Sequence, residues 1–88
     1  MPQPFGKALT NEIKYPNIVE LAVAADGLAV ELAHRIIEFH KSRHIEPRHG
    51  RIIHRENQTY YRGCFSDLAT ARAFLEQFSG SLVREEKR

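Results

Sequence analysis

The sequence predicts an α+β sandwich: a four-stranded antiparallel sheet with two helices on one of its faces. Three observations lead there. Segments of strand and helix periodicity follow one another as strand, helix, strand, strand, helix, strand. Each helical segment carries one apolar stripe and therefore needs one surface to pack on. Right-handed crossovers then place both helices on the same side of the sheet.

The first strand is IVELAVA, residues 18–24, with Val19, Leu21 and Val23 on one face and Ile18, Glu20, Ala22 and Ala24 on the other. Asp26 offers an N-cap oxygen to a helix running from about Gly27 to Arg43. Ala29, Leu32, Ala33, Ile36, Ile37 and His40 form its predicted buried stripe. Lys41, Arg43 and His44 suit its negative C-terminal end, and Pro47 forbids continuation.

A hairpin follows, with Arg51–Arg55 and Thr59–Phe65 turning through Glu56, Asn57 and Gln58. Ser66 is the expected cap of the second helix, whose stripe is Leu68, Ala71, Leu75 and Phe78 with Phe74 beside it. Gly80 is the expected stop, and SLVRE, 81–85, the last strand. Residues 1–17 read as a flexible arm, 18–85 as one domain and 86–88 as a charged tail. The predicted layout is the ferredoxin-like βαββαβ sandwich, with strands one and three central and the sheet face opposite the helices open.

Composition narrows the function classes. The chain has 88 residues, 42% hydrophobic and 27% charged, which suits one small soluble domain. Its longest apolar-leaning stretch, near Ile18–Val30, is broken by Glu20, Asp26 and Gly27 and cannot span a bilayer. The segment MPQPFGKALTNEIKYPN carries no apolar core of a secretory signal, and a single cysteine suits a reducing compartment. The expected location is therefore cytoplasmic. So small a core gains from association, and a homodimer through the open face or a sheet edge is the expected assembly.

Net charge is only +2, but residues 40–55 hold Lys41, Arg43, Arg48, Arg51 and Arg55 against Glu46 alone. That local +4 leaves −2 for the rest of the chain. The segment reads either as a solvated loop or as a contact for phosphate backbones. Pro47 and Gly50 interrupt any groove-reading helix there.

Alternation on the third strand puts Tyr61 and Phe65 in the core, with Tyr60, Arg62 and Cys64 on the open face. Arg62 cannot lie under the helices without a partner. Glu20 faces the same way, so Arg62 reads as its cross-strand partner or as an anchor for an anionic ligand. Glu20, Tyr60, Arg62, Cys64 and His54 make up the candidate ligand or partner face, although the hairpin register leaves His54 undecided.

His40 and His44 have the i, i+4 spacing of a metal-gripping pair with His49 as a third ligand, yet no flanking acid or cysteine completes a site. Cys64 lies two residues before a helix cap, where the dipole favours a thiolate, with His54 as its nearest base. It reads equally as a small strand residue. No catalytic residue, cofactor or metal is assigned, and a non-catalytic binding domain is the expected function.

Several families share features with the chain. YYRGCF followed by SDLATARAFLEQFSG is similar to the third strand and second helix of RNA-recognition motifs. In that family aromatics on the central strands stack bases. Here IVELAV has no aromatic, and Arg62 stands at a stacking position. Asp26-Gly27-Leu28 resembles a shortened amino-acid-binding loop of ACT domains, without its proline; that resemblance implies small-ligand sensing at a dimer interface. The Cys-x-x-Cys of heavy-metal chaperones and the phosphate-cradling loop of acylphosphatases are both missing. FSDLATARAFLEQFSG most resembles small uncharacterised bacterial proteins of the same layout.

Overall fold

A computed structural model describes residues 6–24 and 29–83. It is an α+β sandwich in which three helices pack around one four-stranded antiparallel sheet. The order along the chain is α1 (Gly6–Lys14), β1 (Asn17–Val23), α2 (Val30–Ser42), β2 (Ile53–Arg55), β3 (Gln58–Phe65), α3 (Leu68–Phe78) and β4 (Ser81–Val83). Across the sheet the order is β2-β3-β1-β4, so β1 and β3 are central.

β1 and β3 pair along their lengths, from Asn17 opposite Phe65 to Val23 opposite Thr59. Val19, Leu21, Val23, Tyr61 and Phe65 therefore share one face, and α2 and α3 cover it with Ile36, Phe39, Ala71 and Phe74. The centre is aromatic. The Phe74 ring is fully buried and lies 5.1 Å from Phe39, 5.0 Å from Phe65 and 4.7 Å from Phe78. Tilted and edge-on pairs of this kind each contribute about 0.5–1.5 kcal/mol beyond their area.

Both helical stripes are rotated from the predicted ones. In α2 the buried residues are Ile36, Phe39 and His40, while Ile37 is exposed. In α3 they are Ala71 and Phe74, while Leu68 is exposed. Phe39 and Phe74 meet edge-on over the sheet and take the buried positions.

Two caps also differ from expectation. Asp67, not Ser66, accepts the Thr70 N–H at 2.8 Å. Ser79, not Gly80, adopts the left-handed turn at φ 58° that ends α3. Gly80 instead makes a close approach: a Cβ there would lie 2.8 Å from the Glu20 carbonyl oxygen. The expected cap Asp26 and the Asp26–Leu28 loop lie outside the described residues, as do 84–88 with the charged tail.

The hairpin settles the register. Glu56 and Asn57 both have positive φ, 51° and 66°, which is a two-residue primed turn. Arg55 pairs with Gln58, His54 with Thr59 and Ile53 with Tyr60. Further along, His49 bridges Gly63, so Gly50, Arg51 and Ile52 stand opposite only Tyr61 and Arg62. That one extra residue is a bulge and reverses the alternation of the edge. By their pairing with Tyr60 and Gln58, Ile53 and Arg55 face away from α2 and α3, and His54, opposite Thr59, faces toward them, with its Nδ1 3.1 Å from the Thr59 hydroxyl.

The sheet face predicted to be open carries α1. Residues 6–14 form a helix where the sequence predicts a flexible arm, and Asn11 and Glu12 are buried. Little of this docking is apolar: Ile13 is 69% exposed. The Asn11 amide donates to the His49 carbonyl at 2.9 Å, and Glu12 reaches the arginines of the sheet.

His40 is the buried exception on the aromatic side. Its ring stacks on Phe65 at 5.5 Å, and Nδ1 donates to the Ile36 carbonyl at 2.8 Å. Nε2 is buried without a partner. Burial lowers the pKa of the ring below its ordinary 6.5, against a smaller opposing effect of the Ile36 bond. The unfolded chain therefore takes up this proton at a pH where the fold resists it, and stability is expected to decline as pH falls below about 6.5. The check is the urea midpoint between pH 7 and 5.5, which should lose part of its slope in His40→Leu; an unchanged slope would assign it elsewhere.

Candidate functional site

Buried charge concentrates on the α1 side of the sheet. Glu20 on β1 pairs directly with Arg62 on β3, and their side chains meet at 2.9 Å. Arg55, at the end of β2, adds a second guanidinium to Glu20 at 2.9 Å. From above, Glu12 of α1 accepts from Arg62 at 3.0 Å and from Arg51 at 2.8 Å. The Arg51 backbone N–H also donates to Glu12, at 2.7 Å. Arg62 thus lies between two carboxylates and ties β3, β1 and α1 together.

Local structure makes this seat possible. The bulge points the Arg51 N–H at α1, and Gly50 faces Arg62 across the ladder. A Cβ at Gly50 would lie 2.6 Å from Glu12 Oε2 and 2.8 Å from its Cγ. Only glycine lets the carboxylate descend to the sheet.

Both glutamates are charged. Burial by itself pushes their pKa values up, but the arginine hydrogen bonds and charges outweigh it, and both carboxyls are held below the ordinary 4.5. The Glu12 hydrogen bond in turn raises Arg51. The side chains of Glu12, Glu20 and Arg62 are 6%, 8% and 12% exposed, whereas Arg51 and Arg55 are half-exposed.

A cleft of about 510 Å³ opens beside the cluster. Leu9, Ile13 and Pro16 line it from the α1 side, and Ile18 and Val83 from the sheet. Arg51, Arg62 and Glu12 form its polar end. Apolar walls with a few convergent polar groups are the usual composition of a small-molecule site. The helix, the bulge and the cleft were absent from the sequence reading, because none of them follows from periodicity.

Of the predicted face, Glu20, Tyr60, Arg62 and Cys64 lie on the same side of the sheet. Tyr60 sits under the Arg55 guanidinium, 4.9 Å from ring centroid to Cζ. His54 does not join them, since the two-residue turn pairs it with Thr59 on the other face. Cys64 is buried, and burial first, then the Glu12 charge, pushes its thiol up to about 11 against a smaller effect of Arg62. That is the reverse of an activated thiolate.

The basic segment is not one patch. Arg51 and Arg55 are partnered by buried glutamates, and Arg48 pairs with Glu46 at 3.3 Å and lies over Tyr15 at 4.4 Å. Arg43 sits on the helix side, 4.4 Å over Phe39, and Lys41 is exposed on α2. Among the described residues no three His, Cys, Asp or Glu side chains are grouped to hold a metal, and no helix is long and apolar enough to cross a membrane. Buried His40 and exposed His44 do not converge.

No family model matches the chain, and no curated protein or solved structure matches it.

Arg62→Met leaves two buried carboxylates short of a partner and is expected to cost about 3 kcal/mol at pH 7. Depressed carboxylate pKa values contribute stability that is complete above pH 4.5 and lost as pH falls through the folded values. The variant has less to lose there, so its deficit, read from urea midpoints, should shrink below pH 4.5. Gly50→Ala should release α1, seen as loss of amide protection in residues 6–14 with β1 and β3 intact.

Proposed function

We propose that this is a small non-catalytic binding domain whose binding surface is the cleft between α1 and the sheet. Support for binding over chemistry comes from how the reactive groups are held. Cys64 is buried with a raised pKa, His40 is sealed among phenylalanine rings, and Glu12 and Glu20 are fixed as ions by arginines. A general acid or base must exchange a proton near neutral pH, and these groups are tuned away from it. The observation that carries the reading is the cleft, with apolar walls and one guanidinium end. A ferredoxin-like layout with an added N-terminal helix is part of the reading; the strand order and the shared face of α2 and α3 support it. So is a reducing, cytoplasmic setting, which suits the free thiol of Cys64.

A second reading, a homodimer meeting through this same face, is favoured by two exposed side chains. Ile13 is 69% exposed beside the cleft and Ile52, next to Arg51, is 48% exposed. Nucleic acid is the weaker alternative, because Arg51 and Arg55 are already partnered and Arg43 lies on the other side.

Amide chemical shifts recorded against a panel of small neutral, cationic and anionic aromatic and aliphatic compounds test the first reading. Responses should cluster at Leu9, Ile13, Ile18, Arg51 and Val83 and vanish in Ile18→Trp, which fills the cleft. Responses confined to the Lys41–Arg48 side would refute it. Sedimentation equilibrium tests the second: Ile13→Glu should weaken a dimer at least tenfold, and a wild-type chain that stays monomeric at millimolar concentration removes it.

A further inference from the structure

Among the described residues, the cluster beside the cleft leaves one arginine with unspent donors. Three guanidinium groups, Arg51, Arg55 and Arg62, share two carboxylates, Glu12 and Glu20. At the far end Arg55 also has the charge of Glu56 nearby. With Arg55 so offset and Arg62 held by both glutamates, the guanidinium with donors to spare is Arg51, at the cleft. Arg62 is buried and spends its Nε, Nη1 and Nη2 on Glu12 and Glu20. Arg51 is 51% exposed and, among the described residues, its side chain spends only Nε and Nη2, both on Glu12. Its Nη1 and the rest of its fork remain for another acceptor.

We propose that the cleft binds a small monocarboxylate with an apolar body, its carboxylate held by the Arg51 guanidinium and its body along Ile13, Pro16, Ile18 and Val83. This rests on the reading of the cleft as the binding surface. Four features define the ligand class. A single half-exposed guanidinium, Arg51, stands at the polar end with donors to spare, which suits one negative charge. A planar carboxylate matches the guanidinium fork, and the same fork already grips the Glu12 carboxylate. The walls away from Arg51 and Arg62 are apolar and offer no acceptor or donor side chain, so they suit hydrocarbon. At about 510 Å³ the cleft lies within the 300–1,000 Å³ range of small-molecule sites, too little for a folded partner.

The test is a titration of the full chain with octanoate, octyl phosphate and octanol, followed by amide shifts. Octanoate should saturate with shifts at Ile13, Ile18, Arg51 and Val83, and bind at least about tenfold tighter than octanol, which lacks the charge. Arg51→Gln should remove that preference, and 0.5 M salt should weaken octanoate only. Octanol binding as tightly as octanoate at these residues would overturn the carboxylate assignment and leave the cleft standing as a binding surface. Octyl phosphate binding more tightly than octanoate would overturn the monoanion assignment in the same way. No response at these residues to any of the three would sink the assignment and the cleft reading together. The comparison of octanoate with octanol on the wild-type chain holds even if Arg51→Gln disturbs α1.

Discussion

The Arg62 guanidinium, gripped by Glu20 on one side and Glu12 on the other, is the constraint from which the organisation of the α1 face follows. An arginine in the middle of a central strand cannot be desolvated alone, since an unpaired buried charge costs several kcal/mol. Glu20 answers half of the problem from within the sheet, at the position directly opposite. The other half requires a second carboxylate from above the sheet, and α1 brings it. Without Glu12 the described hydrogen bonds from α1 to the sheet reduce to one, from Asn11 to the His49 carbonyl. The helix is thus held where it is needed to complete an ion cluster, and the cluster fixes both its height and its rotation.

The two faces of the sheet obey different physics. Under α2 and α3 the adhesion is apolar and aromatic, with Val19, Phe74 and Ala71 fully buried and Phe39, Phe65 and Phe78 around them. That adhesion scales with area and is indifferent to salt. Under α1 it is ionic, directional and sensitive to which atoms are present. Replacing one methyl-free residue, Gly50, would be enough to lift Glu12, because the clash falls on the carboxylate itself. A face held in this way can open without the core noticing, and local opening draws on weakly apolar segments of this kind.

The sequence made one face legible and the other only in part. Alternation in IVELAVA and TYYRGCF predicts the inward residues and the Glu20–Arg62 pairing, because a strand has a period of two and Arg62 has only one tolerable side. It does not predict α1, a short segment that docks through Asn11 and Glu12 while its apolar residues Leu9 and Ile13 line the cleft. It does not predict the bulge either: one extra residue among Gly50, Arg51 and Ile52 leaves composition untouched while bringing Gly50 opposite Arg62 and His49 opposite Gly63. The helices were found but rotated by a residue or so, since Leu68 and Ile37 are as apolar as the rings that displaced them. Asp67 outcompeted Ser66 as a cap because its carboxylate accepts both the Thr70 N–H and the Thr70 hydroxyl.

An N-terminal helix that served only to cover the sheet would bury its apolar side chains there. α1 instead leaves Ile13 largely in water, and Leu9 and Pro16 stand over Ile18 and Val83 with unfilled space between them. The anchoring atoms are a carboxylate and an amide, both at the Arg51–His49 end of the groove. The helix is therefore fastened at its polar end and propped open along its apolar side, so that hydrocarbon and the half-exposed Arg51 guanidinium meet at one accessible edge. Neither property alone would distinguish this edge from ordinary surface, since isolated apolar residues and isolated arginines are common there. Their juxtaposition, enforced by a glycine, a bulge and a buried ion cluster that each restrict the chain, makes the cleft the part of the molecule that the core does not need.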